Sequence, residues 1–191
     1  MQTCISIITS GNLRVELVRW LLKTLVEMQN DCYLDLVHST KGIQHARNLA
    51  IKRFLQTNCT HIYTVDSDCI PQDGVIPKLL AYDLPFISTP APQIINGEAG
   101  LMMLDKVEGG YKQHRPLTGL QKCDAVGGTG LFLKREVLDA ITPPWFEFHY
   151  DTNGLLSGGE DFAFCEKTIK AGYEIWVQAD LAQSHVKEVI L

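Results

Sequence analysis

The first ninety residues alternate short apolar runs with amphipathic segments of helix length, and this pattern constrains the chain most. Residues 4–9 are apolar and β-branched and read as a buried strand. Ser10-Gly11-Asn12 is a turn. Residues 13–29 then place Leu17, Leu21, Leu25 and Met28 at helical spacing. Residues 33–37 alternate as a second strand, and residues 43–57 are helical with Ala46, Ala50 and Phe54 near one face. A third strand spans 62–65, a short helix 71–81 and a further strand Phe86-Ile87-Ser88. Strands separated by helices pair through crossovers. The order therefore specifies an α/β fold with a mainly parallel central sheet flanked by helices.

The second half is less regular. Residues 94–121 contain Gly97, Gly100, Gly109, Gly110 and Gly119 and read as hairpins and loops. Residues 125–133 suggest a strand around a Gly-rich bend, followed by a helix over 135–141. Pro143-Pro144 breaks the chain, and 145–157 mixes large aromatics with turn residues as a loop does. Gly158-Gly159 precedes a helix over 160–171, which Gly172 stops; a late strand at 173–177 and a loop at 179–184 follow. A length of 191 residues suits one domain.

Composition excludes several partners. The formal net charge is -5 and no Lys/Arg run is long enough to follow a phosphate backbone, so no nucleic-acid partner is expected. No apolar stretch approaches the ~20 residues of a membrane span, and the N-terminus has no basic region of the secretory kind. The six cysteines form no Cys-x-x-Cys pair, which suits reduced, mostly buried thiols and a cytoplasmic setting.

Three short motifs carry chemistry. In Asp66-Ser67-Asp68 two carboxylates at i and i+2 project to the same side of an extended chain. They stand where a parallel strand ends, the edge at which open α/β sheets bind ligands. Such oxygen donors suit Mg²⁺ or Mn²⁺, ions that pair with phosphate oxygens. Gly158-Gly159-Glu160-Asp161 puts two acids in a first helical turn, behind glycines that permit close approach by a ligand; a carboxylate there is placed to remove a proton from a hydroxyl. His185 follows a late strand and a loop; an imidazole brought beside two carboxylates would tilt the metal preference toward Mn²⁺. Gly127-Gly128-Thr129-Gly130 lacks the Walker lysine and the Gly-x-Gly-x-x-Gly spacing, and its use is to let a sugar approach the backbone. Trp145, Phe146, Phe148 and His149 either stack on a sugar face or pack on the core as a lid.

Taken in order, these pieces resemble the GT-A glycosyltransferases, glycosyltransferase family 2 in particular. The resemblance rests on residues 5–9, Ala46-Arg47-Asn48-Leu49-Ala50, Val65-Asp66-Ser67-Asp68, the run from Gly127 to Arg135, Gly159-Glu160-Asp161-Phe162, Gly172-Tyr173-Glu174-Ile175 and His185. It implies one catalytic domain, with residues 1–90 as a nucleotide-binding half and 91–191 as an acceptor and catalytic half. It implies a metal-dependent transfer of a sugar from a UDP- or GDP-sugar to a sugar or other hydroxyl acceptor, with inversion. Asp66, Asp68 and His185 would hold the metal, Mn²⁺ or Mg²⁺, with Asp68 the more direct ligand. Thr9, Ser10 and Arg47 would lie near the nucleotide. Asp161 would be the general base, and Glu160, Gly128, Thr129 and Trp145 would face the acceptor or sugar. Two other readings compete: a nucleotidyltransferase that makes the sugar nucleotide, and a non-catalytic nucleotide- or sugar-binding module.

Overall fold

In the computed structural model, which describes residues 2–95 and 98–186, every residue of β1 (Thr3–Thr9) is buried. A strand covered on both faces favours apolar residues; Cys4, Ile5, Ile7 and Ile8 supply them, while the small polar Thr3, Ser6 and Thr9 are buried among them. α1 (Val15–Met28) covers one face, where Ile5 and Ile7 join Leu17, Trp20 and Leu21 in a single cluster. Behind the other face lies α2 (Ile43–Leu55), whose Ala46 and Ala50 pack with Ile8 and Val37. β2 (Cys32–His38) and β3 (His61–Asp66) flank β1 in parallel, with Ile7 opposite Leu36 on one side and Val65 on the other.

The sheet continues beyond β3 through β12 (Leu131–Lys134), β5 (Phe86–Ser88), β15 (Ile175–Gln178) and β10 (Leu120–Cys123), in the order β10-β15-β5-β12-β3-β1-β2. β1, β2, β3, β5 and β15 point one way, and β12 and β10 run against them. α3 (Val75–Leu80), α4 (Arg135–Asp139) and α5 (Glu160–Lys170) complete the helices. None of the described helices is long and apolar enough to cross a membrane.

The irregular half resolves into small antiparallel pieces. β8 (Met103–Val107) lies between β9 (Gly110–Gln113) and β11 (Ala125–Val126), and β6 (Pro92–Ile95) pairs with β7 (Glu98–Leu101). β4 (Cys69–Ile70) pairs with β16 (Ser184–His185), which brings His185 across from Cys69. β13 (His149–Tyr150) and β14 (Leu156–Gly158) form a hairpin inside the segment expected to be a loop. The strand expected over 125–133 is two strands of different sheets, because Gly127-Gly128-Thr129-Gly130 turns the chain between them. The expected helix over 71–81 begins only at Val75, after the β4 pairing and the left-handed Gly74.

That glycine turn is stapled to β3. Gly130 donates its N–H to Thr64 O at 2.7 Å, and Asp66 donates its N–H to Thr129 Oγ1 at 3.0 Å. Gly130 has φ +73°, and a Cβ there would lie 2.1 Å from Thr89 O. Gly154 has a similar φ of +78° with nothing within 4 Å of an added Cβ. Gly154→Ala therefore measures backbone strain alone, and Gly130→Ala strain plus a backbone clash. We expect thermal melts to show Gly154→Ala losing about 1 kcal/mol and Gly130→Ala about 3 kcal/mol or more. Equal losses would contradict the packing described for Gly130.

Candidate active site

β1 leads to β2 on one side and β3 leads toward β5 on the other, so a crevice opens between the carboxyl ends of β1 and β3. A cleft of about 640 Å³ occupies it, lined by Thr9, Ser10, Asn12, Gly42, Asp66 and Asp68 among others. This volume lies within the range that holds a small ligand. Thr9 shapes the loop at its mouth: its hydroxyl accepts the Gly11 N–H at 3.0 Å and donates to Asn12 O at 3.1 Å.

Behind the cleft lies a buried ionic clamp. Arg47, 6% exposed on α2, donates Nη2 to Asp66 Oδ2 at 3.0 Å and Nη1 to Glu160 Oε1 at 2.8 Å. Its guanidinium carbon also lies 5.8 Å from the centre of the Phe146 ring. One side chain thus joins α2, the end of β3 and the start of α5. Gly128 makes room for it, since a Cβ at that position would sit 1.5 Å from Arg47 Nη1. Arg47 thus fills the space on the Cβ side of Gly128, while the residue also lines the recess beside Asp161. Thr129, also expected at the sugar, is 8% exposed and its hydroxyl holds the Asp66 amide.

Asp68 and His185 meet despite a sequence separation of 117, with Nε2 and Oδ2 3.2 Å apart. His185 Nδ1 lies 3.0 Å from Pro92 O, a carbonyl that can only accept. That carbonyl holds a proton on Nδ1, which leaves Nε2, on the Asp68 side, as the ring nitrogen that could ligate an ion. Cys69 completes a group of three donors whose atoms lie within 4.8 Å of one another. Asp66 stands outside that group, contrary to the expected set of Asp66, Asp68 and His185, because the buried Arg47 claims its Oδ2. Cys69 is a weaker donor, since burial pushes its thiol up to about 12.

The site fits a divalent cation on three counts. The 3.2 Å separation of Asp68 and His185 matches the edge, about 3 Å, of an octahedron with 2.0–2.1 Å bonds. Asp66 Oδ1 is buried without a hydrogen-bond partner. Asp66, Glu160 and Asp161 together face a single arginine, an excess of negative charge that would repel a diphosphate.

Asp161, in the first turn of α5, shares a recess of about 140 Å³ with Arg47, Asp66, Gly128 and His185. Its carboxyl is raised above the ordinary range by burial, against the opposing pull of Arg47 and the Phe162 and Gly128 amides. Glu160 is raised by burial too, despite Arg47. Glu160 sits 7% exposed in the clamp, so it orients the site. Trp145, expected at the sugar, is 8% exposed in the core with Nε1 donating to Leu138 O at 3.0 Å; Phe146 stacks on Phe164 at 4.5 Å. Of the two readings of the aromatic segment, the one packed on the core describes these two rings. Two contributors escaped the sequence reading. Cys69 follows the acidic motif directly but reads as core. Asn48, poorly suited to a helix interior, grips Phe146 through both its amide atoms at 2.7 and 3.1 Å.

No protein-family model matches the chain, and no curated protein matches it. Solved structures do. A197 from STIV is 19% identical with a TM-score of 0.72, over 98% of this chain and 87% of that one. GalNAc-T7, crystallised with UDP, GalNAc and Mn²⁺, is 11% identical with a TM-score of 0.59, over 98% of this chain and 43% of that one. S. aureus TarS 1-349, in complex with UDP-GlcNAc, is 14% identical with a TM-score of 0.55, over 100% of this chain and 60% of that one. The chain thus spans less than two thirds of the GalNAc-T7 and TarS chains. At these identities the likeness is one of fold, and the fold is that of the GT-A glycosyltransferases.

Proposed function

We propose that this chain transfers a sugar from a nucleoside-diphosphate sugar, a UDP- or GDP-sugar, to a hydroxyl acceptor, with a divalent cation and with inversion. The observation that carries this reading is the single recess shared by Arg47, Asp66, Asp161 and His185, set against the cleft between β1 and β3. The nucleotide occupies that cleft, against the loop at Thr9 and Ser10. Asp68 and His185 hold the cation, Mn²⁺ or Mg²⁺, and Cys69 borders it. When bound, the ion offsets the charge that grows on the leaving diphosphate. Asp66, fixed through Oδ2 by Arg47, keeps Oδ1 as an acceptor for a donor hydroxyl. The fold neighbours crystallised with UDP and UDP-GlcNAc support the choice of donor class.

Asp161 removes the proton from the attacking hydroxyl. Burial makes its carboxylate a stronger base than an exposed aspartate, and the Gly128 and Phe162 amides keep it oriented. One base and one direct displacement form no covalent intermediate and invert the anomeric carbon. Residues 1–90 line the nucleotide cleft, and residues 91–191 bring the base Asp161 and the cation ligand His185 to it. A nucleotidyltransferase would instead release pyrophosphate from a nucleoside triphosphate, so the products separate the two readings.

The test is a panel of sugar nucleotides with Mn²⁺, scored for hydrolysis and transfer. We expect Asp161→Asn to lower turnover by about 10²–10⁴-fold with donor affinity near wild type. Asp68→Asn should weaken donor binding first. Normal turnover by Asp161→Asn, or a retained anomer, excludes this mechanism.

The pH dependence follows from the direction of the Asp161 shift. A base works ionised, so the acid limb of kcat/KM should lie above the ordinary aspartate value of about 3.9 and disappear in Asp161→Asn. A carboxyl raised in the folded state stabilises the fold at low pH, and that contribution is lost as pH rises through the folded value. Asp161→Asn should therefore melt no lower than wild type at pH 7. A melting temperature that falls by several degrees would show that the charged form is structural.

A further inference from the structure

A second groove, of about 810 Å³, runs along the outer face of α2 and meets the nucleotide cleft at Gly42 and Ile43, which line both. Lys41, His45, Asn48 and Lys52 line it together with Trp145 and Phe148. Gln44, Asn48 and Lys52 follow one another at i, i+4 and i+8 and share a helix face. The buried Arg47 belongs to a different face of the same helix.

The charge of this groove opposes that of its surroundings. Among the described residues no carboxylate lines it, although the chain carries -5 overall and the recess at the nucleotide cleft holds Asp66 and Asp161. Among the described residues no carboxylate pairs with the ammonium of Lys41 or Lys52. Glu147, next to the aromatic wall, is turned to Lys167 at 2.7 Å. His45 Nδ1 is held 3.0 Å from the Ser39 hydroxyl.

The wall is built in advance. Asn48 donates to Phe146 O and accepts the Phe146 N–H, and Trp145 is anchored on Leu138 O. Phe148 follows this pinned backbone and remains half-exposed. An apolar surface facing two ammonium groups fits a molecule that has one apolar face and one negative charge.

We infer that this groove is the acceptor subsite and that the acceptor is an anion, a hydroxyl-bearing molecule with a phosphate or carboxylate group and an apolar face. The assignment rests on the glycosyl-transfer reading, which places the acceptor beside the donor cleft. The groove's preference for anions stands on Lys41, Lys52 and the aromatic wall alone.

The test uses the full chain in EDTA at low salt. The Trp145 indole N–H resonance is followed while 4-nitrophenyl β-D-glucuronide, 4-nitrophenyl phosphate or neutral 4-nitrophenyl β-D-glucoside is added. At least one anion should bind on the order of tenfold more tightly than the glucoside, and salt should weaken it. The tighter of the two anions assigns carboxylate or phosphate. Lys41→Glu/Lys52→Glu should remove that preference, and Lys41→Gln/Lys52→Gln should reduce it in the same direction. A glucoside bound as tightly as both anions, or anion binding unchanged in both double variants, overturns the inference. Sugar-nucleotide hydrolysis by the wild type with Mn²⁺, run alongside, addresses the glycosyl-transfer reading separately. If hydrolysis is absent that reading fails, and the titration still decides whether the groove prefers anions.

Discussion

The site depends on one buried guanidinium. Arg47 binds the last residue of β3 and the first residue of α5, positions separated by nearly a hundred residues of chain. Without it, Glu160 would keep a buried charge uncompensated, a loss of about 3–5 kcal/mol for pairs of this kind. Its effect on function is positional. Asp66 is turned so that one oxygen is consumed by Arg47 and the other stays unpartnered at the recess. Asp161 follows Glu160 directly, so anchoring the first residue of α5 sets the second beside Gly128 and the recess. Gly128 serves the same arrangement by leaving space for the guanidinium.

Around that clamp the protein collects negative charge, which would destabilise the fold unless it met a cation on function. Burial raises the Glu160 and Asp161 carboxyls, the signature of groups kept from water. Asp68 is the more exposed carboxylate and faces His185, whose other nitrogen is fixed on Pro92 O. The acids closest to Arg47 are thus held and desolvated, while the one at the cleft mouth remains open to an ion. This gradient from rigid to open is what separates the residues proposed for orientation and proton removal from those proposed for metal binding.

Much of the fold was legible because its long strands and helices repeat a clear pattern. β1 is buried at every position around its apolar run of Cys4, Ile5, Ile7 and Ile8, and α2 turns Ala46, Ala50 and Phe54 inward as spacing demands. The short pieces were not legible. β4 and β16 are two residues each and exist only because the chain returns at Ser184 and His185 to pair with Ile70 and Cys69. No periodicity marks such pairs, so His185 read as a loop residue. The meeting of His185 with Asp68 came from the family resemblance. The clamp was half visible: Arg47 and Glu160 were both singled out, yet nothing local shows that an arginine on a helix is buried. Trp145 was legible only in part: an aromatic after a Pro-Pro break looks exposed, whereas tertiary packing buries most of its ring and leaves the rest lining the groove along α2.

The central claim is that Asp68 and His185, set beside this clamp, bind a nucleoside diphosphate through a divalent ion. Calorimetry with UDP and GDP, in Mn²⁺ and in EDTA, addresses it directly, with His185→Ala as the matched variant. The account predicts binding of at least one nucleotide in Mn²⁺, a loss of about tenfold or more in EDTA, and a comparable loss in His185→Ala. Equal affinity in EDTA, or wild-type affinity in His185→Ala, would contradict it.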